Sequence, residues 1–353
     1  MNTTPKHQSP FPLRGEGWGE RPLPPIFNCS NDMALAANVR QYFPPKRIQQ
    51  MEDDLKDLAN YWEEGPWGWS LATKARYKKM GIAEEELPTD EWLATLRNLS
   101  SREFACSYIK EMLTDLNDPR LLGHDMYFCK TLPPVTLPHR EGWGGSLIFK
   151  SPWSSSGRGV FVTETLDEPT LKRLQGYLNT QGGFAMDRFY ANKVLDFAME
   201  FVIKNNGEVD FLGYSVFHAD PNGTYGYNYV ESQEDLKKRI DIDDDLLTKL
   251  IAYHKRHLSL HIPPVTLPIR GEGLGIGAPE IGALPIGIDM IKCADGTIHP
   301  CIEINLRMNM GILALKLWDR FKCPNFTHDL SKRHEHGFQA KIDEGKLIII
   351  YNK

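Results

Sequence analysis

Alternation of apolar and polar residues predicts β-strands throughout the chain from residue 147 onward. The segments "SLIFK" and "VFVTE" flank the loop "SPWSSSGRG", and "GFAMDRFY" follows after a helical stretch. Two further pairs of strands surround turn signals at Asn205-Asn206-Gly207 and at Asp295-Gly296. Such turns between alternating segments are typical of β-hairpins. We therefore expect hairpins in "VLDFAMEFVIKNNGEVDFLGYSVFH" and in "PIGIDMIKCADGTIHPCIEIN".

Helical spacing of apolar residues predicts helices before and between these strands. The segment "KRIQQMEDDLKDLANYW" has this spacing, and "TDEWLATLRNL" adds a cap at Thr89 or Asp90. A third helix begins at Ser100–Ser101 and continues through "REFACSYIKEML". Further helices are expected near 168–179, at 244–260 and in "MGILALKLWDRF". Hairpins with helices between them favour an α+β fold over a doubly wound sheet.

Composition limits the function classes. The chain has 353 residues, of which 41% are hydrophobic and 25% charged, and this length suggests two or three lobes. The net charge of -5 and the lack of a basic block predict no nucleic-acid partner. Six cysteines without C-x-x-C spacing indicate reduced thiols. With no apolar leader and no apolar run of about 18 residues, we expect a cytoplasmic protein without membrane contact.

Three related segments interrupt the chain. Residues 132–146 ("LPPVTLPHREGWGGS") and 262–275 ("IPPVTLPIRGEGLG") are similar, and residues 9–19 ("SPFPLRGEGWG") are a looser copy. They could act as repeated binding loops, or they could be inserts in surface loops, where added length costs little stability. Their Pro, Gly and charged residues favour inserts, because these residues support neither a helix nor a strand.

The segment "CIEINLRMNMG" at residues 301–311 places Glu303, Asn305 and Arg307 at every second position, hence on one face of a strand. Asp289 joins that face if the hairpin loop has an odd number of residues. Two carboxylates and an amide oxygen suit Mg²⁺ better than zinc, and Arg307 can hold a phosphate or an oxyanion. The alternative is a polar sheet edge with an ion pair, which the apolar flanks disfavour.

The segment "FKSPWSSSGRGV" combines a strand-ending lysine, Lys150, with a Ser/Gly-rich loop. Gly157 and Gly159 allow close backbone approach, and successive N–H groups can bind an anion. The loop is not a Walker A motif because no Gly-Lys-Ser/Thr follows. It is not a dinucleotide fingerprint either, because it leads into a strand.

Together, "LIFKSPWSSSGRGV", "GFAMDRFYANKVLDFAMEF" and "IGIDMIKCADGTIHPCIEINLRMNMG" resemble the ATP-grasp superfamily over residues 100–320. The resemblance implies an α+β fold in which two lobes enclose ATP, preceded by a smaller N-terminal lobe. It divides the chain into a tail at 1–25, an N-terminal lobe at 26–100, a first ATP-grasp lobe at 101–185 with an insert at about 132–146, a second lobe at 186–330 with an insert at about 262–285, and an extension at 331–353.

The resemblance also implies roles for individual residues. Lys150 would contact the α- and β-phosphates, and the backbone near Met186 and Asp187 would hold adenine. Asp196, or with less support Glu200, would bind the ribose. The loop that closes over the β- and γ-phosphates would comprise Ser154, Ser155, Ser156, Gly157, Arg158 and Gly159. The Mg²⁺ ligands, with Mn²⁺ as an alternative ion, would be Asp289, Glu303 and Asn305.

Some family members carry a further ATP-contacting lysine, and this chain offers Arg102 there, or Lys110 slightly later. The N-terminal segment "FNCSNDMALA" contains three candidates for substrate binding, Asn28, Asn31 and Asp32. Roles in turns or helix caps are at least as well supported for them. The scattered histidines His218, His254, His257 and His261 are expected at the surface or in the core rather than as ligands. The segment "HDLSKRHEHG" could bind a metal, but a solvated helix end is the favoured interpretation.

The implied activity is an ATP- and Mg²⁺-dependent ligase that joins a small-molecule or peptide carboxylate to an amine through an acylphosphate. Arg307 and Lys150 would be its catalytic residues, stabilising developing negative charge. Two alternatives remain at this point. One is a small-molecule kinase of the same fold, and the other is a nucleotide-binding protein without catalysis.

Overall fold

The structure is a computed structural model. It describes residues 23–54, 56, 59, 65–133, 145–154, 159–204, 206–220, 223, 225–263, 284–321, 337–343 and 346–352. The looser N-terminal repeat and most of the other two repeated segments lie outside these ranges. The interpretation of those segments as inserts therefore stays a prediction.

The N-terminal region is helical. It contains α1 (Asn31–Ala37), α2 (Lys46–Asp54), α3 (Leu71–Lys79) and α4 (Asp90–Leu99), with a short 3-10 helix at Glu84–Glu86. The side chain of Thr89 caps α4 by accepting a hydrogen bond from the backbone N–H of Trp92, so Thr89 is the cap. Trp69, Tyr77 and Trp92 are buried in the same hydrophobic cluster as the following helices and strands.

A four-stranded antiparallel sheet follows. Its strands are β1 (Tyr127–Cys129), β2 (Leu147–Lys150), β3 (Val160–Thr163) and β4 (Phe184–Arg188), in the order β1-β4-β2-β3. The helices of this part are α5 (Arg102–Leu116) and α6 (Glu168–Gln181). Phe149, Leu174 and Phe184 are fully buried in a separate small core. The strand–loop–strand unit predicted from residue 147 is confirmed as the β2–β3 pair.

A seven-stranded antiparallel sheet forms the larger part. Its strands are β5 (Lys193–Ile203), β6 (Val209–Ala219), β7 (Tyr225–Tyr229), β8 (Leu284–Cys293), β9 (Ile298–Asn305), β10 (Gly337–Asp343) and β11 (Lys346–Asn352), in the order β10-β11-β7-β6-β5-β8-β9. Its helices are α7 (Gln233–Ile240), α8 (Asp244–His261) and α9 (Met310–Phe321).

The central strand β5 separates the core from a cleft. Phe197, Met199 and Phe201 are fully buried in the main hydrophobic cluster, and the ring of Phe201 contacts His254 of α8. The intervening residues Ala198 and Glu200 face the opposite side, where they line the cleft. Period-two alternation thus gives this strand one face for packing and one for the site.

The α+β prediction is confirmed, because helices pack on purely antiparallel sheets. Both predicted hairpins are present, as β5–β6 and β8–β9. No helix within the described ranges combines the length and the apolar character needed to cross a bilayer. The five cysteines in those ranges are free thiols.

Candidate active site

A cleft of ≈ 330 Å³ lies between the two sheets and the N-terminal helices. It collects side chains from stretches of the chain that are far apart in sequence. The candidate residues that line it are Arg102, Lys150, Ser154, Asp187, Asp196, Asp289, Glu303, Asn305 and Arg307. Residues 155–158 lie outside the described ranges, so the predicted roles of Ser155, Ser156, Gly157 and Arg158 stay predictions.

One wall of the cleft is acidic. The β8–β9 register pairs Asp289 with Glu303 and Gly287 with Asn305, so the three polar side chains share a face, as their alternation predicts. Asn305 Nδ2 donates to Asp289 Oδ2 at 3.1 Å. Burial raises the pKa of Asp289, and the neighbouring charges of Glu303 and Glu200 raise it further. Two opposed carboxylates in this setting favour a bound cation.

A third carboxyl group, that of Glu200, is buried in the cleft floor. It accepts hydrogen bonds from Ser215 Oγ at 2.7 Å and from Asn309 Nδ2 at 2.8 Å. Burial raises its pKa to about 7. Two glycines make room for it, since a Cβ added at Gly311 would lie 2.0 Å from Glu200 Oε1, and one at Gly287 would lie 2.7 Å from Oε2.

The opposite wall is basic. Lys150 ends β2, is only 7% exposed and lines the cleft. Its ammonium group has no hydrogen bond or ion pair with any other residue that the structure describes. Burial lowers the pKa of Lys150, although the charge of nearby Asp187 acts in the opposite direction. Asp187 itself bonds to His299 Nε2 at 3.0 Å. An unpaired buried ammonium of this kind needs an anionic partner.

Arg102 connects the two walls from the first turn of α5. Its Nη1 donates to Ser151 O at 2.6 Å and to Ser154 Oγ at 2.8 Å, while its Nη2 donates to Glu303 Oε2 at 2.7 Å. Lys110, the alternative basic residue, is exposed two turns further along the helix and does not line the cleft. Of the two, the structure places only Arg102 at the site.

The N-terminal region contributes Cys29, Ser30 and Met33 to the cleft lining, while Asp32 contacts a lining residue, Arg307. Arg307 follows β9 and pairs with Asp32 through two hydrogen bonds, Nε to Oδ1 at 2.8 Å and Nη2 to Oδ2 at 2.7 Å. Asn28 serves the fold instead, because its amide bonds to both the N–H and the C=O of Gly68. Neither Asn28 nor Asn31 lines the cleft.

Three predicted nucleotide contacts need correction or qualification. Met186 does not line the cleft: its backbone pairs with Phe149 on one side and Tyr127 on the other, and its side chain packs in the small core. Asp196 does line the cleft, but both its oxygens accept hydrogen bonds from Lys193 Nζ, at 2.9 and 2.7 Å.

Gly159 is the third of these predicted contacts. It does not line the cleft, and instead it joins the two ends of the loop after β2. Its carbonyl accepts a hydrogen bond from Ser151 N at 2.8 Å. A Cβ at position 159 would lie 2.0 Å from Ser151 Oγ, so the two ends of the loop can approach only because this residue is glycine.

Sequence reasoning missed part of the cleft lining. Nothing in the spacing of these residues marks them as neighbours of the β8–β9 hairpin. The missed residues include Cys29, Ser30, Met33, Ile48, Trp67, Tyr190, His299 and Asn309.

Comparison with known proteins finds distant likenesses in structure. No protein-family model matches the chain, and no curated protein matches it. Pyruvate carboxylase of Rhizobium etli matches with 14% identity over 71% of this chain and 19% of its own, at a TM-score of 0.47. Biotin carboxylase of Campylobacter jejuni matches with 12% identity over 84% and 68%, at 0.45. N5-carboxyaminoimidazole synthetase of Staphylococcus aureus matches with 10% identity over 85% and 79%, at 0.42.

Proposed function

We propose that this cleft binds ATP with Mg²⁺ and that the protein is a ligase of the ATP-grasp type, which joins a carboxylate to an amine through an acylphosphate. One observation carries the proposal: Lys150 and the Ser154 end of its loop face Asp289, Glu303 and Asn305 across a single cleft. The motifs that resemble the ATP-grasp superfamily are thus adjacent in space although they are far apart in sequence.

The basic wall suits the phosphates. Lys150 offers an ammonium group without a partner among the described residues, and Arg102 offers a guanidinium beside Ser154. Charge-assisted hydrogen bonds from such donors to phosphate oxygens are about twice as strong as neutral ones. We assign Lys150 to the α- and β-phosphates and the 154–159 loop to the β- and γ-phosphates. We assign adenine to the cleft-lining residues 187–190, in place of Met186.

The acidic wall suits Mg²⁺. Asp289 and Glu303 lie opposite each other on two neighbouring strands. Asn305 donates a hydrogen bond through Nδ2 to Asp289, so the Oδ1 atom of Asn305 is available as a ligand. The oxygen-only donor set and the raised pKa of Asp289 both fit a hard divalent cation. When bound, such a cation neutralises charge on the transferred phosphoryl group.

The chain's own residues serve the two proposed steps. First, an oxygen of the substrate carboxylate bonds to the γ-phosphorus, and ADP leaves. Next, the amine bonds to the carbonyl carbon, and phosphate leaves with loss of one proton from nitrogen. Arg307, held by Asp32, lies where a guanidinium can stabilise negative charge in either step. The N-terminal residues around Asp32 form the nearest wall for the acceptor, in keeping with a separate lobe at 26–100.

Two measurements on the full chain test this proposal. Thermal unfolding with ATP or ADP and Mg²⁺ should show a raised midpoint, because a ligand at 100 times its Kd stabilises the native state by about 2.7 kcal/mol. Release of ADP and phosphate is then followed over a panel of carboxylates and amines. Release that needs both acceptors supports the ligase.

Other results separate the alternatives. A stable phosphorylated product from one acceptor would identify a kinase, and binding without turnover would identify a nucleotide-binding protein without catalysis. If neither nucleotide raises the unfolding midpoint, the whole assignment of the cleft is wrong.

A further inference from the structure

A second group of side chains that could hold a metal ion lies between α5 and α8, and none of its members lines the cleft. His257 and His261 are one turn apart on α8, and Glu111 and Asp115 are one turn apart on α5. Candidate ligand atoms of Glu111, His257 and His261 all lie within 4.8 Å of one another. Two histidines at this spacing on one helix face are an established way to bind a transition metal.

The ring nitrogens point toward the carboxylates. His261 Nε2 lies 3.5 Å from Glu111 Oε2, and His257 Nε2 lies 3.8 Å from Asp115 Oδ2. Three candidate ligands thus converge from two helices, two nitrogens from α8 and one oxygen from α5, and Asp115 lies beside His257. The ligands proposed for Mg²⁺ in the cleft are all oxygens, so the two sites would select different metals.

Aromatic neighbours hold both imidazole rings. The ring of His257 stacks on Tyr253 at a centroid distance of 3.9 Å, and the ring of His261 lies edge-on to Phe104 at 5.5 Å. Rings fixed in this way lose little conformational entropy when they bind a metal.

The candidate ligand atoms would have to move only slightly to reach the spacing that a bound metal requires. Zn²⁺ bonds of roughly 2 Å in tetrahedral geometry place neighbouring ligand atoms about 3.3 Å apart. The side chains of Glu111 and Asp115 are 54% exposed, so they can rotate to close the gap without disturbing the core.

We propose that Glu111, His257 and His261, with Asp115 as a fourth ligand, form a site for Zn²⁺ or a similar nitrogen-preferring divalent metal. The metal joins α5 to α8. Because Glu111 is nine residues from Arg102 on the same helix, roughly 13 Å along its axis, the site fixes the helix that presents Arg102 to the cleft. This inference does not depend on the proposed ATP chemistry.

The test is a titration of the full chain, without affinity tag or nucleotide and after treatment with a chelator, with Zn²⁺ by calorimetry and Co²⁺ by visible absorption. Mg²⁺ at the same concentrations should not compete. The double variant His257→Ala/His261→Ala should lose the binding and the Co²⁺ absorption bands. Glu111→Gln, a change at an exposed position, should weaken binding by at least about 10-fold while leaving the far-UV circular dichroism unchanged.

Two control variants make the result specific. His328→Ala/His334→Ala/His336→Ala removes the three histidines of the C-terminal segment 328–337 and should bind Zn²⁺ as the wild type does. Asp289→Asn should also bind Zn²⁺ normally, even though it removes a proposed Mg²⁺ ligand. The proposal is overturned if the wild type binds no Zn²⁺, if Glu111→Gln leaves the affinity unchanged, or if only the C-terminal variant loses binding.

Discussion

The two walls of the cleft are built from different sheets and carry opposite charge. The four-stranded sheet contributes Lys150, whose ammonium group is buried without a partner among the described residues. The seven-stranded sheet contributes Asp289 and Glu303, which face each other across β8 and β9. Burial lowers the pKa of Lys150 and raises the pKa of Asp289. In each wall, burial therefore destabilises the charged form of the residue.

The opposite charges of the two walls favour a ligand that carries charge of both signs. Buried charges that lack full compensation reduce the stability of the unliganded protein. A ligand that is anionic at one end and accompanied by a cation at the other would compensate both walls together. A nucleoside triphosphate with its divalent cation has that distribution of charge.

The largest expected effect comes from the acidic wall. Glu303→Gln should reduce Mg²⁺-dependent ATP turnover by about 10²–10³-fold, because it removes a negative ligand from the cation site. The amide oxygen can still accept the hydrogen bond from Arg102, so the fold should be preserved. Steady-state release of ADP measures the effect, with Glu208→Gln on the exposed part of the β5–β6 hairpin as control. Equal turnover in both variants would remove Glu303 from the metal site.

On the basic wall, Lys150→Met should separate binding from stability. We expect the Kd for ATP to rise by about 10–100-fold, because a hydrogen bond to a charged group contributes about 1.5–3 kcal/mol. Without nucleotide, the variant should be at least as stable as the wild type, since a buried unpaired charge is gone. Calorimetry and urea unfolding measure the two effects, with exposed Lys238→Met as control. Weaker binding together with lower stability would indicate a structural role.

In the floor of the acidic wall, Gly311→Ala should lower the free energy of unfolding by about 2 kcal/mol. Its Cβ would lie 2.0 Å from Glu200 Oε1 and 2.3 Å from Ser215 Oγ. Gly176→Ala is the matched control, because that glycine lies in α6 with nothing within 4 Å, so alanine should stabilise the helix. Urea unfolding that shows the same change in both variants would contradict the crowded packing around Glu200.

The smallest effect depends on pH. The pKa of Glu200 is raised from 4.5 to about 7 by burial, so between these values the folded state binds more protons than the unfolded state. Its contribution to stability is complete below pH 4.5 and is lost as the pH rises through 7. Glu200→Gln should therefore be more stable than the wild type by roughly 1–2 kcal/mol at pH 8, with no such advantage at pH 4.5. Unfolding curves that differ equally at both pH values would show that burial does not raise the pKa of Glu200.

Local signals made the hairpins predictable. Gly207 and Gly296 both adopt positive φ angles of 82°, which glycine adopts without strain, and each lies between alternating segments. Once the turn at Asp295-Gly296 is placed, alternation predicts that Asp289 and Glu303 share a face, but it does not predict the register shift between Asp289 and Ile291 that places the two carboxylates directly opposite each other. The helix cap at Thr89 was predictable for the same reason, because its hydrogen bond joins residues only three positions apart.

The rest of the site depends on contacts between distant parts of the chain. Asp32 and Arg307 are 275 residues apart, and Asp187 and His299 are 112 residues apart, yet each pair is hydrogen-bonded. Such pairs leave no periodic pattern in a sequence. The seven-residue helix α1 and the five-residue strand β7 are also too short to show a period, which is why they were missed.

The guanidinium of Arg102 has a mechanical consequence. It is bonded simultaneously to Ser151 and Ser154, which follow β2, and to the carboxylate of Glu303 on β9. The two sheets therefore cannot separate at this point without breaking either the two bonds to Ser151 and Ser154 or the one to Glu303. Glu303 is also the residue that a cation would recruit. If Glu303 binds a cation, as we propose, the cation would compete with the hydrogen bond from Arg102 for the same carboxylate, so cation binding would weaken the contact between the two sheets.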